Sequence, residues 1–158
     1  MDRQDMPCRT SLQWPNFSPP HRAGQIIDIA NLRSRLLKLA DSVERDDQRG
    51  MDYVAPAVCD LLRQELRFSK VAPGLDSHRI VEATCRYASG EHETAAFSAI
   101  PECLEIAASR FEYSQAHIAK VSLPGIHSGY SQNAASLSAA VFAAFLRCLA
   151  RIATEFED

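Results

Sequence analysis

The sequence has few of the residues that build phosphate-binding loops or basic nucleic-acid surfaces. It contains only six glycines and carries a formal net charge of −3. The motifs G-x-G-x-x-G, G-x-x-x-x-G-K-[ST] and G-x-S-x-G are all absent, so the common nucleotide-binding and hydrolase signatures are missing. The sequence therefore favours a binding protein over an enzyme. Any contact with nucleic acid would need a local basic patch, because the chain as a whole has no positive field.

The cysteines do not form a pattern that binds zinc or builds a disulfide framework. Their number is odd, and no two of them form a C-x-x-C pair. No H-E-x-x-H motif is present either, and the His78/Glu82 pair at i, i+4 has no second matched His/Glu pair, so we predict neither a metal nor another cofactor. Four of the five cysteines lie among apolar residues at helical spacing, which predicts reduced thiols, at least three of them buried. The five are Cys8, Cys59, Cys85, Cys103 and Cys148.

Long hydrophobic runs are also lacking. The longest apolar stretch, residues 134–146, is too short to span a bilayer and contains two serines. The first residues have no apolar run of the kind found in signal peptides. We therefore expect a cytoplasmic protein that does not contact membranes.

Proline is concentrated at the start of the chain. Residues 1–25 contain four of the eight prolines, together with Trp14 and Phe17. Because proline fixes φ and removes a hydrogen-bond donor, these residues predict an extended arm. The two aromatic residues suggest that part of the arm docks, either on its own domain or on a partner. Residues 26–158 then form a single helical domain.

The rest of the chain shows apolar spacing typical of helices. We predict an all-α fold, an irregular bundle of about five helices behind the proline-rich arm. Residues 122–132 are predicted to be a long loop. Asp76 and Asn133 are suitable N-caps for the third and fifth helices. The predicted helices cover about 26–49, 52–70, 77–88, 98–121 and 134–156.

The first of these helices has a narrow apolar seam. Its apolar residues are spaced alternately by three and four positions, and charges of both signs occupy the other faces. One helix of a bundle can show the same spacing within its own chain. We nevertheless favour a homodimer in which the helix pairs with a copy of itself. The seam residues are Ile29, Leu32, Leu36, Leu39 and Val43.

Residues 104–123 allow two interpretations. One is an uninterrupted helix. The other is a helix-turn-helix, because the segment resembles that motif of bacterial regulators, although Glu112 stands where the turn usually has glycine. The resemblance implies a DNA-binding transcriptional regulator. Its expected contacts to DNA would come from Ser114, Gln115, His117 and Lys120.

A shorter segment around His117 resembles the phosphoacceptor segment of histidine phosphotransfer domains. Those domains are small helical bundles with an exposed histidine and a lysine one turn later, the place that Lys120 occupies here. The family usually has glycine where this chain has Val121. The resemblance implies that His117 would accept a phosphoryl group and that Lys120 would neutralise its charge.

These observations favour a regulatory or interaction protein. We expect it to bind or occlude another protein through helix faces, and to self-associate through the 29–43 seam. A DNA-binding regulator is the first alternative, and phosphotransfer at His117 is the second.

Overall fold

The computed structural model describes residues 28–65, 67–72, 74–110, 115–125 and 127–156. The predicted arm at 1–25, Cys8 and Ser114 lie outside these residues. Within the described residues, four α-helices come first, followed by a short α-helix that continues into a π-helical turn at Ala95–Ala99. The helices are α1 (Ile29–Glu44), α2 (Gln48–Gln64), α3 (Phe68–Val71), α4 (Ser77–Ala88) and α5 (His92–Thr94).

Three strands and a long helix follow. The strands are β1 (Glu105–Arg110), β2 (His117–Leu123) and β3 (His127–Ala134), and they form an antiparallel sheet in the order β1-β2-β3. Helix α6 (Leu137–Ala153) packs on one face of the sheet and ends in a 3₁₀ turn at Thr154–Phe156. The all-α prediction is therefore wrong, because the fold is mixed α/β.

The error lies in residues 98–132, which were predicted to form one helix and one loop. In β2, Ala119, Val121 and Leu123 are buried on one face, while Lys120 between them is exposed. This is the two-residue period of a strand. Two neighbouring strands and α6 supply the contacts that override the helix propensity of the alanines. Neither the continuous helix nor the helix-turn-helix at 104–123 is present, since β1 and β2 occupy this part of the chain.

Polar side chains begin three of the long helices. Asp28, Asp47 and Asp76 each accept a backbone N–H from the first turn of the helix that follows. The prediction for Asp76 is confirmed. The prediction for Asn133 is wrong, because Ser136 caps α6 and Asn133 belongs to β3.

Helix α6 is the centre of the core. It packs against α1 and against all three strands, and most of its side chains are fully buried. The segment Leu137–Phe156 is long and apolar enough to cross a membrane, but 78% of its apolar window is buried inside the protein. Burial of this extent is typical of a core helix. The predicted burial of at least three thiols is confirmed by Cys59, Cys85 and Cys148.

The five seam residues of α1 lie in this core. Ile29, Leu32, Leu36, Leu39 and Val43 are all buried within their own chain, on the helix that packs against α6. Intramolecular packing therefore accounts for the three–four spacing. Self-association stays a prediction, but a second copy would have to bind elsewhere.

Leu36→Glu should lower the free energy of unfolding by about 3–5 kcal/mol, because it buries an unpaired carboxylate. The neighbouring Leu37 provides a matched control, since its side chain is 41% exposed whereas that of Leu36 is 0% exposed. Leu37→Glu should change stability by about 0.5 kcal/mol or less. Urea denaturation followed by circular dichroism measures both. A Leu36→Glu protein that is folded and as stable as the wild type would contradict this packing.

Candidate functional site

The two faces of the sheet have different surroundings. Residues paired across antiparallel strands point to the same face. The face that includes Val121 is covered by α6, whereas the opposite face includes Lys120 and Ala107, which pair with each other. We call these the inner face and the outer face. Helix α1 packs against α6 and also contacts β3.

The outer face carries a groove of about 550 Å³. Its β1 side is formed by small side chains, including Ala107 and Ser109, and these leave room for a ligand. Lys120 and Tyr130 stand on the other side, with the Lys120 ammonium 5.8 Å from the centre of the Tyr130 ring. Because an aromatic ring and an ammonium face a floor of small residues, the groove can hold an apolar side chain next to a polar or anionic one.

Strand β1 is an open edge of the sheet. All six of its residues are exposed, and among the described residues it pairs with β2 alone. It contains no proline, and its only charged side chains are Glu105 and Arg110 at its two ends. Ile106 is 41% exposed although it shares the inner face with the fully buried Val121. An edge of this kind has free backbone N–H and C=O groups that can pair with another strand.

The other edge, β3, is closed by charged side chains from two helices. Arg147 on α6 donates to the backbone oxygen of Tyr130 at 2.9 Å. Glu44 at the end of α1 accepts the backbone N–H of Gln132 at 3.1 Å and the hydroxyl of Ser131. Backbone groups that a new strand would need are therefore already bonded at residues 130 and 132.

Glu44 and Arg147 also bind each other. Two hydrogen bonds of 3.0 and 3.1 Å join the carboxylate to the guanidinium, which also contacts Asp41 at 2.8 Å. Partial burial on its own would raise the pKa of Glu44. The hydrogen bonds from Arg147 and Ser131 outweigh that effect and lower the pKa to about 2. Glu44 is therefore ionised at all physiological pH values.

The predicted DNA contacts are only partly brought together. Lys120 points into the groove, and His117 is the first residue of β2. Gln115 is exposed with a φ of 62° and accepts a hydrogen bond from Arg110. A recognition helix is absent from this part of the described chain, so these side chains do not form the surface that the helix-turn-helix resemblance implied.

The described part of the chain also lacks the helical arrangement of histidine and lysine that the phosphoacceptor resemblance implied. His117 and Lys120 lie on a strand and not on a helix, and the Nδ1 atom of His117 is buried without a hydrogen-bond partner among the described residues. The described residues contain no group of three His, Cys, Asp or Glu side chains that could hold a metal ion. Sequence reasoning missed the open edge at β1, because it assigned these residues to a helix.

Comparisons with known proteins do not identify a relative. No protein-family model, curated protein or solved structure matches this chain.

The Glu44 carboxylate should make stability depend on pH in acid. Its pKa in the folded protein is about 2, below the ordinary value of 4.5, so its stabilising contribution is complete above about pH 4.5 and is lost as the pH falls towards 2. Glu44→Gln should lower the free energy of unfolding by about 1–2 kcal/mol at neutral pH, because solvent screens part of the interaction. The difference from the wild type should shrink below about pH 4.5, as measured by urea denaturation at a series of pH values. A difference that is the same at every pH would contradict this role for Glu44.

Proposed function

We propose that this protein binds other proteins by accepting an extended segment of the partner as an additional strand along β1. The observation that supports this is the contrast between the two edges of one sheet. Glu44 and Arg147 close the β3 edge, whereas the six residues of β1 are exposed along their whole length. Proteins normally protect an exposed edge strand, so an edge left open beside a protected one is a candidate binding surface.

The outer groove would provide specificity for such a segment. Backbone hydrogen bonds to β1 would supply much of the affinity whatever the partner sequence, because every residue except proline offers the same groups. Every second side chain of the added strand would lie on the outer face, beside Ala107 and Ser109. A bulky apolar side chain there could reach over these small residues towards Tyr130, and an acidic one could pair with Lys120.

We also propose that the protein works in a reducing compartment such as the cytoplasm. Cys59, Cys85 and Cys148 are buried cysteines, and such residues suit a protein that keeps its cysteines reduced. Self-association is a separate prediction.

The proposal can be tested with a display library of random linear peptides and a variant that blocks the edge. Peptides enriched on the wild-type protein should slow hydrogen exchange at the β1 amides. Ala108→Lys places a charge on the inner face of the edge strand and should weaken the same synthetic peptides by about tenfold or more, as measured by fluorescence anisotropy.

Tyr53→Lys is the matched control, because Tyr53 is 82% exposed and lies on α2. It should leave the peptide affinities unchanged. Enriched peptides that bind Ala108→Lys as well as they bind the wild type would overturn the proposal.

A further inference from the structure

The inner side of β1 has uncovered apolar surface. Ile106 shares the inner face with Val121, but its side chain stays 41% exposed because the helical layer contacts β1 much less than it contacts β2 and β3. A fourth strand with apolar side chains on its inner face and polar side chains on its outer face would cover Ile106. Such a strand would also pair with the open backbone edge.

The N-terminal part of the chain contains a segment with this pattern. Residues 8–14, Cys-Arg-Thr-Ser-Leu-Gln-Trp, contain no proline but lie directly between Pro7 and Pro15. Strongly polar residues occupy every second position, and the positions between them hold less polar or apolar ones. The segment is seven residues long, and β1 has six. The polar set is Arg9, Ser11 and Gln13, and the other set is Cys8, Thr10, Leu12 and Trp14.

The connection to the rest of the chain is long enough. Residues 15–27 join this segment to Asp28, which caps α1. Thirteen residues can span about 40 Å when extended. The first half of α1 lies beside β3, since Arg33 lines a pocket together with Ser128. Three strands spaced about 4.8 Å apart put β1 about 10 Å beyond β3. The segment can therefore reach β1 of its own chain.

We propose that residues 8–14 dock along β1 as a fourth strand and compete there with partner segments. Leu12 and Trp14 lie on the inner face beside Ile106, and Ser11 lies on the outer face towards the groove. The chain thereby regulates its own binding edge, so this inference rests on the proposed function. A partner must displace an intramolecular strand whose effective concentration is high because it is tethered.

Trp14 provides a direct measurement, because it is the only tryptophan in the chain. In the wild type its emission should be blue-shifted, as expected for a buried indole. Leu12→Lys places a charge on the inner face and should shift the emission to that of a solvated indole. Ser11→Lys is the matched control one residue away, and it should leave the emission unchanged because its side chain points to the outer face.

A substitution far from Trp14 in sequence tests the docking site itself. Ile106→Lys should produce the same red shift as Leu12→Lys, whereas Tyr53→Lys should produce none. Circular dichroism checks that each variant is folded. The wild-type emission should not depend on protein concentration, because the contact is within one chain.

Binding of the β1-directed peptides to Leu12→Lys should be about tenfold tighter than to the wild type, since the competing strand has been released.

The outcomes separate this inference from the proposed function. A solvated Trp14 in the wild type, a concentration-dependent emission, or an emission that Ile106→Lys does not change would overturn the docking of residues 8–14. Those results leave peptide binding at β1 intact. Conversely, the expected Trp14 shifts together with no peptide binding to Leu12→Lys would support the docking and overturn the proposed function.

Discussion

At Gly129 the backbone of β3 lies directly against the backbone of helix α6, with no room for a side chain between them. A Cβ atom at this position would overlap main-chain atoms of Ala144 and Cys148. The helix permits such close approach because many of its buried residues are alanines. This contact fixes how far the sheet sits from the helix, and with it which face of each strand is buried. Strand β1, the strand farthest from this contact, is contacted least by α6, so its inner face is the least covered.

The Glu44–Arg147 pair adds a second constraint at the opposite edge. It joins the end of α1, the middle of α6 and the backbone of β3 in one hydrogen-bonded group. A partly buried ion pair is weak as a source of net stability, but it is costly to break because each charge would lose its partner. The same atoms bind the backbone oxygen of Tyr130 and the backbone N–H of Gln132 in β3. The asymmetry between the two sheet edges therefore comes from side chains on helices, not from the strands themselves.

The sequence predicts the helical half of the molecule well. Asp76 predicts the start of α4. The alanine-rich apolar run predicts that α6 is the most buried helix. The sheet was missed for two reasons. In β2 the period-two pattern is carried by Ala119, Val121 and Leu123, and alanine fits a helix equally well. In β3 the buried positions include Gly129 and Ser131, which no hydrophobic pattern can reveal.

The candidate site shows the same limit. The charge of Lys120 predicts a site residue, and its side chain does line the outer groove. Its neighbours in the groove, however, are set by strand register. Residues of β1 and β3 meet across β2 only once the hairpins have formed. The Pro124-Gly125 pair, with Gly125 at a φ of 78°, was the clearest signal of the β2–β3 hairpin, because it matches the central positions of a tight turn.

The pairing of α1 with α6 has a consequence for how the protein is made. Glu44 and Arg147 are 103 residues apart, so the apolar face of α1 emerges from the ribosome long before the helix that covers it. Contacts between such distant parts of a chain slow folding, because a large loop must close before they form. Until α6 has been synthesised, Leu32, Leu36 and Leu39 have no cover from it. Apolar surface that is exposed in this way during synthesis favours aggregation until the last helix has formed.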